Sequence, residues 1–134
     1  MNEKPLPLTD AESQPYWDAT RDGRLLIKRC ADCGKAHHYP RELCPWCHSD
    51  RVSWAEASGA ATVYTYTVAR RPAGPAFKAD TPYVVALVEL AEGPRMMTHL
   101  VGMSPDALRI GLPVRLQFGP ATGDGIRLPC FGPA

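Results

Sequence analysis

Four cysteines constrain the fold of this chain more than any other feature. They form two C-x-x-C pairs with ten residues between the pairs: Cys30, Cys33, Cys44 and Cys47. Each pair places two thiolates across a tight turn, close enough to bind one tetrahedral Zn²⁺ at about 2.3 Å. Gly34 follows the first pair and allows backbone N–H groups to approach a sulfur. Because four thiolates leave no ligand position for water, the pattern predicts one Zn²⁺ in a closed, structural site.

Three other uses of these cysteines explain the pattern less well. Disulfides would need an oxidising compartment, and a redox C-x-x-C motif needs a single pair at the start of a helix. Iron sites use similar ligands, so spacing alone does not distinguish zinc from iron. We expect the neighbouring His37, His38 and His48 to lie on the surface of this region, where His48 could donate to a thiolate.

Composition and charge narrow the class of protein. The chain has 134 residues, 45% of them hydrophobic, which suffices for one packed domain or two small modules. The net charge of +1 argues against a protein whose main task is to neutralise nucleic-acid phosphates. The sequence has no apolar run long enough to cross a membrane and no signal-peptide pattern at its start. These features predict a cytoplasmic protein with reduced thiols, and neither membrane nor nucleic acid among its partners.

Residue patterns divide the chain into three segments. Residues 1–23 indicate an N-terminal helical segment. Residues 24–57 contain three short strands and the two cysteine pairs, and this zinc ribbon has too little core to fold without metal. Residues 58–134 carry longer β patterns separated by glycine and proline.

The N-terminal segment predicts one short helix. A capping-box pattern over residues 9–12 marks its start, Pro15 suits a first helical turn, and Gly23 suits a stop. Tyr16 and Trp17 are expected to pack this helix on the ribbon; the alternative is that they line a groove for an apolar ligand.

Residues 58–134 predict five strands with a short helical turn after the third. The strands are expected at residues 61–70, 83–90, 95–101, 114–118 and 126–131, and the turn at 105–111. This order fits a five-stranded Greek-key barrel of the OB type, and a five-stranded sandwich fits nearly as well. The long loop over residues 71–82 is of a kind that tends to be functional or mobile. Cys130 is expected to be a small strand residue, because no histidine lies near it in sequence.

Several short motifs accompany the cysteines, and their order and spacing are fairly specific in combination. They are Tyr16 with Trp17, residues 23–25, Gly34, Pro40, and residues 43–47, 57–59, 64–67, 85–90, 93–95 and 110–114. With these motifs, nearly the whole chain resembles a family of short proteins long catalogued as a domain of unknown function. The resemblance implies a mainly β fold with an N-terminal helical segment, a rubredoxin-like zinc ribbon and a C-terminal five-stranded OB-fold barrel.

Members of this family act as acyl-CoA-binding accessory proteins. They accompany thiolase-like enzymes or hot-dog-fold enoyl-CoA hydratases in ketone, lipid or steroid side-chain metabolism. The resemblance therefore implies an accessory subunit that binds acyl-CoA and is not an enzyme by itself, because the partner supplies the catalytic residues. The sequence agrees with this, since it has no glycine-rich phosphate loop, nucleophile elbow or telling carboxylate pair. Glu89 and His99 could serve as acid and base, but such strand residues more often face solvent or a partner.

Binding of coenzyme A requires cations for the phosphates and an apolar slot for the pantetheine and acyl chain. Cations that flank the long loop or edge the ribbon are the candidates for the phosphates: Arg41, Arg70, Arg71 and Lys78. Trp17 and Phe77 could supply apolar walls. Taken singly, each of these cations is most simply a solvated surface group.

Nucleic-acid binding is the rival hypothesis, because OB folds and zinc ribbons both serve RNA and single-stranded DNA. Tyr64 and Tyr66 are two residues apart, which would place them on one strand face as a platform for stacking bases. The near-neutral charge, the acidic Glu89 and Glu92 and the lack of a Lys/Arg stripe argue against it. A third hypothesis is a protein-interaction module without a small ligand.

Overall fold

The protein consists of a short helix, a small sheet that carries the cysteine pairs, and a closed five-stranded barrel. The computed structural model describes residues 4–134, so residues 1–3 of the expected N-terminal segment lie outside the described part. The fold is mainly β, and its three parts follow in the predicted order. No helix within residues 4–134 is long and apolar enough to span a membrane.

Helix α1, Gln14–Arg21, begins later than the capping-box pattern over residues 9–12 predicts. The preceding turn is closed by a reciprocal pair of hydrogen bonds. The Ser13 N–H donates to Asp10 Oδ1 at 2.7 Å, and the Asp10 N–H donates to Ser13 Oγ at 3.2 Å. These side chains satisfy the backbone N–H groups of residues 10 and 13 in a turn that precedes the helix. Gly23, with a φ of +73°, follows the helix as expected for a stop signal.

The ribbon is an antiparallel sheet in the order β2–β1–β3. Its strands are β1 (Leu26–Cys30), β2 (Ala36–His37) and β3 (Val52–Glu56). The first cysteine pair lies at the end of β1, and the second pair precedes β3. One face of the sheet packs against α1, where Tyr16, Ile27 and Ala36 belong to one buried cluster. This cluster continues into the barrel, so the ribbon and the barrel share a core.

The barrel closes in the order β4–β5–β6–β8–β7, with β7 pairing back to β4. Its strands are β4 (Ala60–Ala69), β5 (Tyr83–Leu90), β6 (Arg95–Leu100), β7 (Pro113–Phe118) and β8 (Pro129–Pro133). A 3₁₀ turn, Pro105–Ala107, connects β6 to β7. Because the sheet is closed, and β6 pairs in parallel with β8, the OB-type barrel is confirmed and the sandwich alternative is wrong.

Strand β5 carries apolar residues on both of its faces. Its inward residues, such as Val84 and Val88, are buried in the barrel core. Its outward residues Tyr83 and Val85 are half-buried, although they point away from that core. Something other than the barrel therefore covers the outer face of β5.

A β-bulge in β4 separates the two tyrosines that the stacking hypothesis had placed on one face. The pairing with β5 passes from Val63 to Thr65, so Tyr64 is the extra residue. The bulge resets the alternation of side chains. Tyr64 consequently points to solvent, whereas Tyr66 packs against the core and donates from its hydroxyl to the Leu108 carbonyl at 3.2 Å. The two tyrosines therefore do not form the stacking platform of the rival hypothesis.

Gly59, at the junction between ribbon and barrel, provides a test of this architecture. Its φ is +93°, and an added Cβ would lie 3.1 Å from Leu116 Cβ. We expect Gly59→Ala to lower the free energy of unfolding by about 1–3 kcal/mol in urea titrations, because both the backbone and the packing are strained. Gly74→Ala is the control: Gly74 is extended with open space around it, so its change should stay within about 0.5 kcal/mol. Equal stabilities of the two variants would contradict this account.

Candidate functional site

The four cysteines converge on one point at the tip of the ribbon. Sγ of Cys30 lies 3.6 Å from Sγ of Cys47, and Sγ of Cys33 lies 3.6 Å from Sγ of Cys44. All four sulfurs lie within 4.8 Å of one another. Tetrahedral zinc with four thiolates at about 2.3 Å requires sulfurs about 3.8 Å apart, so the site fits one structural Zn²⁺.

The two cysteine turns are built alike. The Gly34 N–H donates to the Cys30 carbonyl at 3.0 Å, and the His48 N–H donates to the Cys44 carbonyl at 2.9 Å. Both closing residues have positive φ, +77° at Gly34 and +65° at His48. The role that glycine performs in the first turn is thus performed by a histidine backbone in the second.

Backbone N–H groups also stabilise the thiolates. The Trp46 N–H donates to Cys44 Sγ at 3.4 Å. A backbone hydrogen bond from Cys33 is the largest influence that lowers the pKa of the Cys30 thiol, to about 7. Donation to sulfur favours the charged form that metal binding needs.

Two of the three nearby histidines are not on the ribbon surface, contrary to expectation. His37 is buried, and the His38 ring packs edge-on against Tyr16 with ring centroids 5.6 Å apart. Burial, with a smaller contribution from His37, lowers the pKa of His38 to about 4. His38 is therefore a neutral imidazole at physiological pH, and it packs against Tyr16 instead of serving as a metal ligand.

A cavity of about 630 Å³ opens where the three parts of the chain meet. Helix α1 contributes Trp17, the ribbon contributes His38 and Tyr39, and the outer face of β5 contributes Tyr83 and Val85. The helix and the ribbon therefore partly cover the outward residues of β5. The walls are predominantly apolar, as expected for a site that binds an organic ligand.

A second cavity of about 510 Å³ lies beside the first and shares part of its wall. Its walls come from the N-terminal residues 4–7, the 3₁₀ helix Pro75–Asp80 and the end of β6. The two cavities share five residues: Phe77, Tyr83, His99, Leu128 and Cys130. We refer to the two cavities together as the cleft, and to these five shared residues as the waist.

The waist joins residues that are distant in sequence. Parallel pairing of Leu100 with Phe131 aligns β6 with β8, which makes His99 and Cys130 neighbours on the outside of the barrel. The His99 ring lies 5.3 Å from the Tyr83 ring between centroids. Burial lowers the pKa of His99 and raises the pKa of Cys130, so both groups are uncharged at neutral pH.

The structure brings some of the predicted ligand-binding residues together and leaves others apart. Trp17 and Phe77 line the cleft. The cations expected to bind phosphates are exposed and are not among its lining residues: Arg41, Arg70, Arg71 and Lys78. Leu128 and Met97 were missed, because an exposed apolar residue in a loop or strand gives no local signal of a cavity. The apolar outer face of β5 was the signal that could have revealed the cleft.

The fold and the metal centre define a protein of the zinc-ribbon and OB-barrel class, with a cleft between these two parts. Residues 17–53 match the family described as "ChsH2, rubredoxin-like zinc ribbon domain", and residues 54–119 match "ChsH2, C-terminal OB-fold domain". A DUF35 domain-containing scaffold protein of Methanocaldococcus jannaschii is 36% identical over 102 residues, which are 75% of this chain and 72% of that protein. The chain belongs to the DUF35 family.

Two further similarities concern larger assemblies. A probable enoyl-CoA hydratase alpha subunit of Thermomonospora curvata is 44% identical over 131 residues, which cover 98% of this chain. The chain spans 40% of the length of that relative. A solved structure described as Ltp2-ChsH2(DUF35) aldolase matches with a TM-score of 0.84 and 43% identity, over 96% of this chain and 98% of that one. The predicted family and fold are thereby confirmed.

Elemental analysis tests the metal centre. Purified protein should contain close to one zinc per chain, and Cys44→Ser should lose it and unfold the ribbon, because the ribbon has little core of its own. Cys130→Ser is the matched control and should keep the metal, since Cys130 lies on β8 rather than in the cysteine cluster. Full metal retention in a Cys44→Ser, Cys47→Ser double variant would refute the site.

The buried neutral His38 predicts how stability depends on pH. Its pKa is about 4 when folded and 6.5 when free. Between these values the unfolded chain binds a proton that the folded chain does not, so acid favours unfolding. In the zinc-loaded protein this histidine should lower the free energy of unfolding by about 1 kcal/mol between pH 7.5 and pH 5.5. His38→Phe keeps an aromatic ring and should reduce the slope measured by denaturant titration without abolishing it, because burial also lowers the pKa of His37 and His99. An unchanged slope would contradict the assignment.

Proposed function

We propose that this chain is an accessory subunit that binds acyl-CoA through the cleft and acts with a separate catalytic subunit. The partner would be a thiolase-like enzyme or a hot-dog-fold enoyl-CoA hydratase, in lipid, ketone or steroid side-chain metabolism. The observation that carries the proposal is the apolar cleft, whose walls come from all three parts of the chain. Its reduced cysteines suit a cytoplasmic location.

The relatives support a role inside a larger enzyme. One is named as the alpha subunit of a probable hydratase, another as a scaffold protein, and a solved structure pairs ChsH2(DUF35) with Ltp2 under the name aldolase. Because this chain matches 40% of that alpha subunit, the rest of the activity would reside in other domains or chains.

The described residues favour an accessory role over independent catalysis. Glu89, one candidate for acid–base chemistry, is paired with Arg95 at 3.1 Å on the barrel surface. His99, the other candidate, faces Tyr83 in the cleft, so the two are not part of one site. Catalysis by positioned acid and base groups needs both at the reacting atoms. The partner subunit would supply them.

Nucleic-acid binding is the weaker candidate function. The guanidinium of Arg95 lies 3.7 Å from the centroid of the Tyr64 ring and occupies its face, while Tyr66 packs against the core. The net charge is +1. These observations support a site for an apolar ligand over a platform for bases.

Recovery of the native complex tests the proposal directly. The tagged chain should co-purify from its host with an acyl-CoA enzyme, and calorimetry on that complex should detect binding of acyl-CoA esters. Trp17→Leu should weaken binding about tenfold, because it removes an aromatic wall of the cleft. Trp46→Leu changes an exposed tryptophan outside the cleft lining and should have little effect.

Two results would count against the proposal. Equal affinities of the two tryptophan variants for acyl-CoA would show that the cleft does not bind the ligand. A complex that binds no coenzyme A derivative would remove the acyl-CoA function, and the hypothesis of a ligand-free interaction module would replace it.

A further inference from the structure

The cleft carries almost no net charge, which limits the part of a ligand that it can hold. Among the described lining residues, Lys4 is the single lysine or arginine. Its Nζ lies 2.6 Å from an Asp80 carboxylate oxygen and 5.6 Å from the Phe77 ring centroid. Asp80 lines the same cavity and neutralises this charge. No other cation lines the described walls to offset a phosphate.

We infer that the cleft binds the uncharged acyl end of a thioester, and that the phosphates of coenzyme A are held outside it, on the partner subunit. The inference rests on the proposed function and divides its ligand between two chains. A coenzyme A nucleotide carries several negative charges, and phosphate sites in proteins use arginine, lysine or clustered N–H donors. Apart from Lys4, the exposed lysines and arginines of this chain are not among the residues that line either cavity.

The titratable groups of the walls reinforce this neutrality. His38 and His99 could bind an anion if they were protonated, but burial lowers the pKa of each. Cys130 is a neutral thiol whose S–H donates to the Leu128 carbonyl at 3.6 Å. Near pH 7 the waist therefore presents aromatic, aliphatic and uncharged polar atoms to a ligand.

The size and shape of the cleft favour a long or ring-containing acyl group. Each cavity, about 630 Å³ and about 510 Å³, lies within the range of roughly 300–1,000 Å³ typical of small-molecule sites. Phe77 and Leu128 line both cavities, so an acyl group that occupied both would extend past these shared residues. Leu128 would then limit how far an acyl group extends.

The first experiment compares thioesters with and without the nucleotide on the isolated full chain. Calorimetry would use acyl-CoA and the matching S-acyl N-acetylcysteamine thioesters over a series of chain lengths. We expect equal affinities within about twofold, no binding of coenzyme A alone, and little change between about 50 mM and about 500 mM salt, because screening acts on charged contacts. Binding of coenzyme A alone, or a steep loss with salt, would overturn the inference while leaving the proposed function intact.

The second experiment tests the waist. Affinity should rise by up to about fourfold per added methylene until the cleft is filled. Leu128→Trp should end this rise at a shorter chain length, whereas Ile110→Trp, the same kind of change at an exposed position outside the cleft lining, should match the wild type. Leu128→Ala does not narrow the waist, so affinity should rise with chain length as far as it does in the wild type. Identical series for both tryptophan variants would overturn the role of the waist.

The two proposals fail in distinguishable ways. If the isolated chain binds neither kind of thioester but the native complex binds acyl-CoA, the division of the ligand is wrong and the accessory function stands. If a segment of the partner fills the cleft in the complex and the thioesters do not compete with it, the inference is also overturned. If the complex binds no acyl-CoA, the proposed function fails with it.

Discussion

Metal coordination at the ribbon tip fixes the geometry on which the cleft depends. The ribbon strands contain five, two and five residues, which is too little sheet to be stable alone. Four thiolates within 4.8 Å tie the turn after β1 to the turn before β3. Residues 38–40, which follow directly on β2, are held by this arrangement against α1 and form one wall of the cleft. A change at the metal centre should therefore alter the cleft through the sheet.

The cleft is a junction and belongs to no single part of the chain. The helix, the ribbon and the outer face of the barrel each contribute a wall, and each would be an exposed apolar surface without the other two. This explains why the outward residues of β5 are apolar in a sheet whose outer face would otherwise be polar. Burying these surfaces against one another stabilises the fold, and the space that remains between them is the proposed ligand site.

The elements that could be predicted from sequence are those with local signals. The cysteine spacing defines the metal centre, and glycine and proline separate the strands of the barrel. The cleft depends on contacts that have no local signal. The neighbourhood of His99 and Cys130 arises from the parallel register of β6 and β8, and the separation of Tyr64 from Tyr66 arises from one bulged residue.

The predicted metal ligands have a local sequence signal, and the predicted phosphate ligands do not. For the metal ligands, the spacing within each C-x-x-C pair already determines how the two sulfurs are placed. Arg70 and Arg71 lie beside the long loop in sequence, but the direction of an exposed side chain is set by solvent and neighbours rather than by its position in the chain. Trp17 and Phe77 were predictable as walls because large aromatic side chains tend to be covered.

The left-handed closing residues make the metal clamp unequal in its two halves. Glycine adopts a positive φ without steric strain, so the turn at Gly34 closes at no steric cost. At His48 the same conformation costs about 1–2 kcal/mol for a residue with a Cβ. The first turn therefore closes without backbone strain, whereas the strain in the second would be offset by the bonds that Cys44 and Cys47 make to the ion.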